Sequence, residues 1–244
     1  RRTRTMSKPQ RILLQALLLC LIITIAFYFF IQSSFFNIST VVIKNNLFLS
    51  SGDIRQLADV PLGSNTFKID DIRIKHNLML HPMIKDVKIY RELPDVLTIY
   101  IVERTPVILI PSETGFLELD ETGVFLKKIS TISNVQLPIL TGVKVDTNIT
   151  PGQVVVDEKL AKSMEFLSKV PVEYQAMLME IELKDNQYII YTPEGIKAII
   201  GNEENISQKL QILQEIINGG QLKGKLIDYI DLTTVATPVV KYRN

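Results

Sequence analysis

The chain has few of the residues that cross-link proteins or bind metals. Its 244 residues include one cysteine, Cys20, and two histidines. A single cysteine excludes a disulfide within the chain, so any extracytoplasmic part must be stabilised by packing alone. His76 and His81 lie five residues apart around the end of a predicted helix and lack the spacing of a metal site. The sequence therefore predicts no metal and no cofactor.

The signatures of common hydrolases are also missing. The chain contains no Ser-x-x-Lys, no Gly-x-Ser-x-Gly and no His-Glu-x-x-His motif. Several carboxylates belong by pattern to turns and to a helix start, and no spacing unites them into an acid and base pair. They are Asp120, Glu121, Asp157 and Glu158. We therefore predict no catalytic residue, no small-molecule substrate and no enzymatic activity.

Charge is absent from one long stretch near the N-terminus. Residues 12–43 carry no charged side chain, and Ile12–Ile31 is their most apolar part. As a helix, this part spans about 30 Å, which matches the hydrocarbon core of a bilayer. The pattern predicts a transmembrane helix. A cleaved secretory signal is the alternative, but its apolar region would be unusually long, and residues 32–36 offer no small-x-small cleavage site.

Five basic residues precede this helix and predict its orientation. The positive-inside rule places residues 1–11 in the cytoplasm and the chain beyond residue 31 outside, as in a type II single-pass protein. Without these five, the 27 basic residues fall to 22, against 26 acidic residues. Such a slightly acidic exterior argues against nucleic acid as a partner. The five residues are Arg1, Arg2, Arg4, Lys8 and Arg11.

The residues after the span follow strand and helix patterns in turn. Ser39–Lys44 has the β-branched composition of a strand and ends at an Asn-Asn turn. A helix capped by residue 50 or 51 follows, and then a second helix capped by Asp70. Alternating residues next predict a hairpin whose turn contains Pro94. The order β-α-α-β-β predicts a small domain with two helices on one face of a three-stranded sheet.

Beyond Pro106 the chain remains rich in strand patterns. Short alternating segments are separated by turns that contain glycine. One helix is predicted over residues 157–169, capped by its first residue, and a last helix over residues 203–218. Gly219 and Gly220 are predicted to end that helix. Further strand patterns lie between and after the two helices.

The exit from the first domain carries the most specific motif. It reads Glu103-Arg104-Thr105-Pro106-Val107 and follows the hairpin sequence Arg91-Glu92-Leu93-Pro94-Asp95. With the strand, the Asn-Asn turn and the two helices before it, this motif resembles the POTRA domain of the FtsQ/DivIB family, the bitopic cell-division proteins of bacteria. Near the C-terminus, Tyr229-Ile230-Asp231-Leu232 is similar to the family's terminal Asp-Leu-Arg strand, with Thr233 in place of the arginine.

Patterns and resemblance together predict an α+β fold with one N-terminal transmembrane helix. A basic cytoplasmic tail over residues 1–11 and the span over residues 12–31 come first. A small β-α-α-β-β POTRA domain follows over residues 36–104, and a mixed β-rich domain with helices over residues 105–244.

Three residues are predicted to form a joint between the two exterior domains. They are Glu103, Arg104 and Pro106. The period-two alternation ends there, and a proline cannot donate to a strand ladder. A structural ion pair between Glu103 and Arg104 is the expected arrangement.

The C-terminal strand pair is predicted to be the main partner-binding edge. Its last strand begins at Pro238, whose missing amide proton marks an edge, and no later strand pattern follows to cover it. An ordinary closing strand, whose removal merely loosens the fold, is the alternative. The residues predicted to bind partners are Tyr229, Asp231, Leu232, Thr233, Thr234, Val239, Val240 and Tyr242.

The resemblance implies a scaffold and regulator of the bacterial division complex, located in the cell membrane at the division septum. Its implied partners are the bitopic proteins FtsL and FtsB (DivIC in Gram-positive bacteria), which control septal peptidoglycan synthesis. A membrane-anchored envelope enzyme or a peptidoglycan-binding module is the alternative. That alternative needs a concave site with convergent polar groups.

Overall fold

The chain divides into two compact units, Arg1–Glu103 and Arg104–Asn244. The structure is a computed structural model that describes residues 8–132, 137–145, 148–222 and 226–243. Three residues of the predicted basic tail, Arg1, Arg2 and Arg4, lie outside the described residues. Each unit has its own hydrophobic core.

Helix α1 spans Lys8–Ile31 and contains the whole predicted span. Its 24 residues are apolar after Arg11, and none of them is buried against the rest of the protein. Within the part of the chain that the structure describes, α1 is the one helix long and apolar enough to cross a membrane. A single turn of 3-10 helix, Ser34–Phe36, follows it.

The first unit then follows the predicted order of elements. Strand β1 (Thr40–Lys44) precedes helix α2 (Ser51–Ala58), which is capped by the hydroxyl of Ser50. Helix α3 (Asp71–Met79) is capped by the carboxylate of Asp70, which accepts two backbone amide protons of the first turn. Both caps satisfy amides that have no partner within the helix, as the sequence predicts.

The strands of the first unit form a three-stranded sheet in the order β1-β3-β2. Strands β2 (Ile84–Glu92) and β3 (Val96–Glu103) are the antiparallel hairpin, and β1 lies parallel to β3. A parallel pair needs a crossover connection, which α2 and α3 supply. Both helices pack on one face of the sheet. The core consists of Ile54, Ala58, Ile74 and Leu78 against Val41, Val87, Leu97, Ile99 and Ile101.

The second unit is built on a nine-stranded sheet. The strand order is β12-β11-β10-β9-β8-β7-β4-β5-β6, so β12 and β6 are the two edges. Strand β7 lies parallel to both β4 and β8, β10 and β11 also pair in parallel, and the other neighbouring strands are antiparallel. The strands are β4 (Pro106–Ser112), β5 (Gly115–Asp120), β6 (Phe125–Ile129), β7 (Ile139–Thr141), β8 (Glu180–Lys184), β9 (Gln187–Tyr191), β10 (Lys197–Gly201), β11 (Ile227–Asp231) and β12 (Val239–Tyr242).

Helices α4 (Glu158–Lys169) and α6 (Ile206–Leu222) contribute to the core of this unit. Asp157 caps α4, as predicted. A short helix, α5 (Val172–Gln175), was not predicted. The predicted end of α6 at Gly219 and Gly220 is wrong, since the helix continues to Leu222. Glycine costs only about 1 kcal/mol in a helix, and the buried apolar stripe of α6 outweighs that penalty. The predicted α+β fold is confirmed.

Candidate interaction surface

Strand β12 forms one edge of the nine-stranded sheet. It pairs antiparallel with β11, with Val240 opposite Ile230 and Val239 opposite Asp231. No other strand in the described residues pairs with its outer side. Backbone N–H and C=O groups on the outer side of an edge strand can pair with an incoming strand. We call this outer side of β12 the open edge.

Most side chains along β12 are exposed. Val240 packs against the core, whereas the side chains of Val239 and Tyr242 are 54% and 41% exposed. Lys241 lies with its Nζ atom 5.4 Å from the centre of the Tyr229 ring, a cation–π arrangement. Apolar and aromatic groups are therefore accessible beside the open edge.

Asp231 shapes the turn that leads into β12. Its Oδ1 atom accepts hydrogen bonds from the amide of Thr233 at 2.9 Å and from the hydroxyl of the same residue at 2.6 Å. Thr233 and Thr234 are exposed. Leu232 is fully buried, and its amide donates to the carbonyl of Ile199 at 2.8 Å. Leu232 is thus a core residue, which corrects its placement among accessible partner-binding side chains.

The opposite edge, β6, is partly occupied by the chain itself. The amide of Phe125 donates to the carbonyl of Gln153 at 2.9 Å, and its carbonyl accepts from the amide of Gly152 at 2.7 Å. Further along β6, Lys127 and Lys128 are exposed, and lysines on an edge disfavour addition of another strand. Nothing in the sequence predicts this cover, because the residues around position 153 show no strand alternation. We call β6 the closed edge.

Glu103 is the last residue of β3, and its carboxylate binds a loop of the first unit. It accepts the backbone amides of Leu47, Phe48 and Leu49 at 3.0, 2.7 and 3.0 Å. The expected ion pair between Glu103 and Arg104 is therefore wrong, since this carboxylate is engaged by three amides of its own unit. An acidic side chain satisfies such a run of free amides better than a neutral acceptor.

Arg104 binds a carboxylate of the second unit. Its Nη1 atom lies 2.6 Å from Oδ2 of Asp120, which is 2% exposed. Asp120 also accepts the amides of Thr122 and Val124, both at 2.9 Å, and the hydroxyl of Thr122 at 2.7 Å. Burial alone raises the pKa of Asp120, but the hydrogen bonds from Thr122, Arg104 and Val124 outweigh burial and hold the pKa below its ordinary value.

Pro106 begins β4, where it pairs with Asp120 next to a register shift. A proline fits there because the first position of a strand tolerates its missing amide proton. The turn motif Asp120-Glu121-Thr122-Gly123 was a signal for the anchoring role of Asp120, since an aspartate two residues before a threonine favours an Asx turn.

Two of the groups considered for catalysis or metal binding have structural partners. His81 accepts the amide of Met83 at its Nδ1 atom, at 3.2 Å, and Asp157 accepts the amide of Leu160 at 2.9 Å. Within the described residues, no three His, Cys, Asp or Glu side chains are grouped so that they could hold a metal ion. The open edge suits pairing with a further strand.

These features define a class of protein. It has an N-terminal helix apolar enough to cross a membrane, a β-α-α-β-β unit of the POTRA kind and a β-rich unit with an accessible strand edge. The model of the FtsQ-type POTRA domain matches residues 36–104, and that of the C-terminal part of cell division protein FtsQ/DivIB matches residues 109–233. The chain belongs to the FtsQ/DivIB family of cell division proteins, which confirms the resemblance seen in the sequence.

Two relatives that carry the family's names align with this chain over most of its length. The chain is 26% identical to cell division protein DivIB of Clostridium tetani over 92% of this chain and 84% of that protein. It is 25% identical to DivIB of Clostridium botulinum (strain Hall) over 95% and 92%. Among solved structures, the major extracytoplasmic domain of the trans isomer of DivIB from Geobacillus stearothermophilus aligns with 19% identity and a TM-score of 0.34. That alignment covers 50% of this chain and 97% of the Geobacillus domain.

Proposed function

We propose that this protein is a bitopic scaffold and regulator of the bacterial division complex. Helix α1 anchors it in the cell membrane at the division septum, with the N-terminus in the cytoplasm and the chain after Ile31 outside. There it binds other single-span division proteins of the FtsL and FtsB/DivIC type, and through them it controls septal peptidoglycan synthesis. Membership of a cell-division family and the basic residues before α1 support this proposal.

The open edge of β12 is the observation that carries the partner-binding part of the proposal. A strand from a partner adds to β12 by β-augmentation, in which main-chain hydrogen bonds give affinity and alternate side chains give selectivity. Val239 and Tyr242 flank the edge with accessible apolar surface. Tyr229, Thr233 and Thr234 lie beside it and supply further contacts.

Two neighbouring proline substitutions test the open edge. Successive amides of a strand point to opposite sides, so one of Val239→Pro and Val240→Pro removes a bond to β11, and the other removes an amide from the open edge. The variant that removes an amide from the open edge should stay folded by circular dichroism and lose at least tenfold in affinity for purified FtsL and FtsB/DivIC-type partners. Affinity is measured by surface plasmon resonance with the purified full-length protein.

Lys128→Pro on the closed edge is the matched control and should leave partner affinity unchanged if the variant folds. Wild-type affinity in both folded β12 variants would refute the assignment of the interface to this edge. Orientation is tested separately with a reporter that is active only in the cytoplasm, fused after Asn244. The reporter should be silent, and activity there would overturn the proposed topology.

A further inference from the structure

The end of α1 is hydrogen-bonded to a loop of the first unit. Asn65 is buried, and its Nδ2 atom donates to the carbonyl of Ile31, the last residue of α1, at 2.7 Å. Its Oδ1 atom accepts the amide of Phe67 at 3.0 Å. The same loop exchanges backbone hydrogen bonds of 2.9 Å with Ile38, through the amide of Gly63 and the carbonyl of Ser64. Residues 63–67 are therefore held directly beside the end of the helix.

A chain of aromatic rings continues from α1 into this loop. The ring centre of Phe30 lies 5.2 Å from that of Phe36, which lies 5.3 Å from that of Phe67. Phe35 also contacts both Phe30 and Phe36, at 6.1 and 5.1 Å between ring centres. Despite these contacts, Phe35 and Phe67 remain about half exposed, and Leu62 in the adjacent turn is exposed as well.

The position of these side chains follows from the length of α1. Its apolar stretch matches the hydrocarbon core, so its last turn lies at the membrane interface. The polar interface adds about 5 to 8 Å beyond each side of that core. Phe67 is separated from Phe30 by one intervening ring. It therefore lies at the depth where aromatic side chains are enriched in membrane proteins.

Charges near this patch are balanced, so apolar contact dominates. Lys68 is followed closely by Asp70 in the sequence, and Arg73 forms an ion pair with Asp59 at 3.4 Å. A surface that bound lipid through charge would carry an excess of lysine and arginine.

We propose that the part of the first unit that follows α1 rests on the outer face of the lipid bilayer through Phe35, Leu62 and Phe67, and that Asn65 sets its position by binding the last carbonyl of α1. This inference rests on the proposed anchoring of α1 in the membrane. Lipid is the occupant because the patch is continuous with the span itself. A docked first unit presents its remaining surface in a defined direction.

The absence of tryptophan from the chain makes the test direct, because a single introduced indole reports its own surroundings. We compare the Phe67→Trp, Phe27→Trp and Phe48→Trp variants of the full-length protein in lipid nanodiscs. Phe27 lies in α1 and reports insertion of the span. Phe48 is 56% exposed, similar to the 47% of Phe67, but it follows the far end of β1. Five strand residues place it about 16 Å further along the sheet.

Fluorescence is measured with lipids that carry a quencher at the headgroup. The Phe67→Trp variant should lose at least half of its emission and should respond weakly to aqueous acrylamide, whereas the Phe48→Trp variant should show the reverse. In the Phe67→Trp background, Asn65→Asp keeps the acceptor for the amide of residue 67 and removes the donor to Ile31. This change should reduce lipid quenching at least twofold.

The outcomes separate the inference from the anchoring on which it depends. Quenching of Phe27→Trp without quenching of Phe67→Trp would overturn the inference and leave the anchor intact. No quenching of Phe27→Trp would overturn both. Equal quenching of Phe67→Trp and Phe48→Trp would mean that the unit adheres to lipid without a preferred face, and it would also refute the proposal.

Discussion

The two edge strands of the sheet in the second unit follow the same kind of aspartate turn, but only one of them is covered by other residues. At the closed edge, Asp120 ends β5 and accepts the amide and hydroxyl of Thr122 at 2.9 and 2.7 Å. At the open edge, Asp231 ends β11 and accepts the amide and hydroxyl of Thr233 at 2.9 and 2.6 Å. In both places an aspartate two residues before a threonine starts the turn into the edge strand.

The surroundings of the two aspartates are what differ. Asp120 is buried, binds Arg104 and also accepts the amide of Val124. Its turn is therefore held by a buried carboxylate. Asp231 is only half-buried and holds its own turn. The strand after Asp120 is then covered by residues 152 and 153, whereas no described strand covers β12. Identical local geometry thus leads to a structural edge in one place and to an accessible edge in the other.

The largest effect is expected where the closed edge is most tightly packed. A Cβ atom added at Gly115 would lie 2.1 Å from the carbonyl oxygen of Ile129, the last residue of β6. The β5–β6 pair would have to separate there. Gly115→Ala should therefore lower the free energy of unfolding by roughly 3 to 5 kcal/mol in a urea titration of the part of the chain that follows α1.

Gly195→Ala is the matched control for this substitution. Gly195 also has a positive φ, of 75°, but nothing lies within 4 Å of its added Cβ atom. Only the backbone penalty remains, about 1 to 2 kcal/mol. Equal losses for the two variants would show that the closed edge is not closely packed at Gly115.

A second comparison removes the two turn aspartates. Asp120→Ala leaves Arg104 without its carboxylate partner and two amides without an acceptor, so we expect a loss of about 2 to 4 kcal/mol at neutral pH. Asp231→Ala removes bonds that lie in solvent and should cost about 0.5 to 1.5 kcal/mol. Thermal or urea unfolding at pH 7 measures both. A larger loss for Asp231→Ala would reverse our view of which edge is structural.

The difference between these variants should depend on pH. The pKa of Asp120 in the folded protein is lower than in the unfolded chain. Its carboxylate therefore stabilises the fold fully above about pH 4, near the ordinary aspartate pKa, and that contribution is lost as the pH falls through the lower, folded-state pKa. The destabilisation caused by Asp120→Ala should consequently shrink below about pH 4. Unfolding curves between pH 2 and 7 test this, and a destabilisation that grew in acid would contradict it.

The smallest difference between matched variants is expected for two lysines that form ion pairs of the same length. Lys127 lies 3.5 Å from Glu118, and Lys241 lies 3.5 Å from Asp228. Both lysine side chains are 59% exposed, but the Glu118 side chain is only 4% exposed, against 41% for Asp228. Among the described residues, Oε2 of Glu118 makes no well-formed hydrogen bond. The ammonium group of Lys127 offsets the negative charge of this carboxylate.

Lys127→Ala should therefore cost about 1 to 2 kcal/mol, because it leaves a buried carboxylate without its counterion. Lys241→Ala should cost less than about 0.5 kcal/mol, since exposed ion pairs contribute little. Equal unfolding midpoints of the two variants would argue that Glu118 is more hydrated than its burial indicates.

Much of the fold could be predicted because its signals are local. Ser50, Asp70 and Asp157 cap helices at the predicted positions, since a side-chain acceptor next to free amides acts over two or three residues. The family could be recognised for a related reason, because its motifs, such as Glu103-Arg104-Thr105-Pro106-Val107, are short and contiguous in the sequence.

Other features depend on contacts between different elements of the fold. Lys209 is buried, and its Nζ atom donates to the carbonyls of Ile200 and Asn202 at 2.8 and 3.0 Å. Burial lowers its pKa. A helix pattern alone assigns a lysine to the surface. The partner role of β12 likewise remains a prediction, supported by its edge position.

The sequence by itself determined an apolar helix long enough to span a bilayer, the order of strands and helices that follows, and the family. These properties depend on hydrophobic period, on caps and on turn residues, which act between neighbours in the chain. Only the tertiary structure decided which edge stays open. The backbone of Phe125 is hydrogen-bonded to residues 152 and 153, whereas no described strand pairs with the outer side of β12. Strand pairing depends on which backbones meet in space.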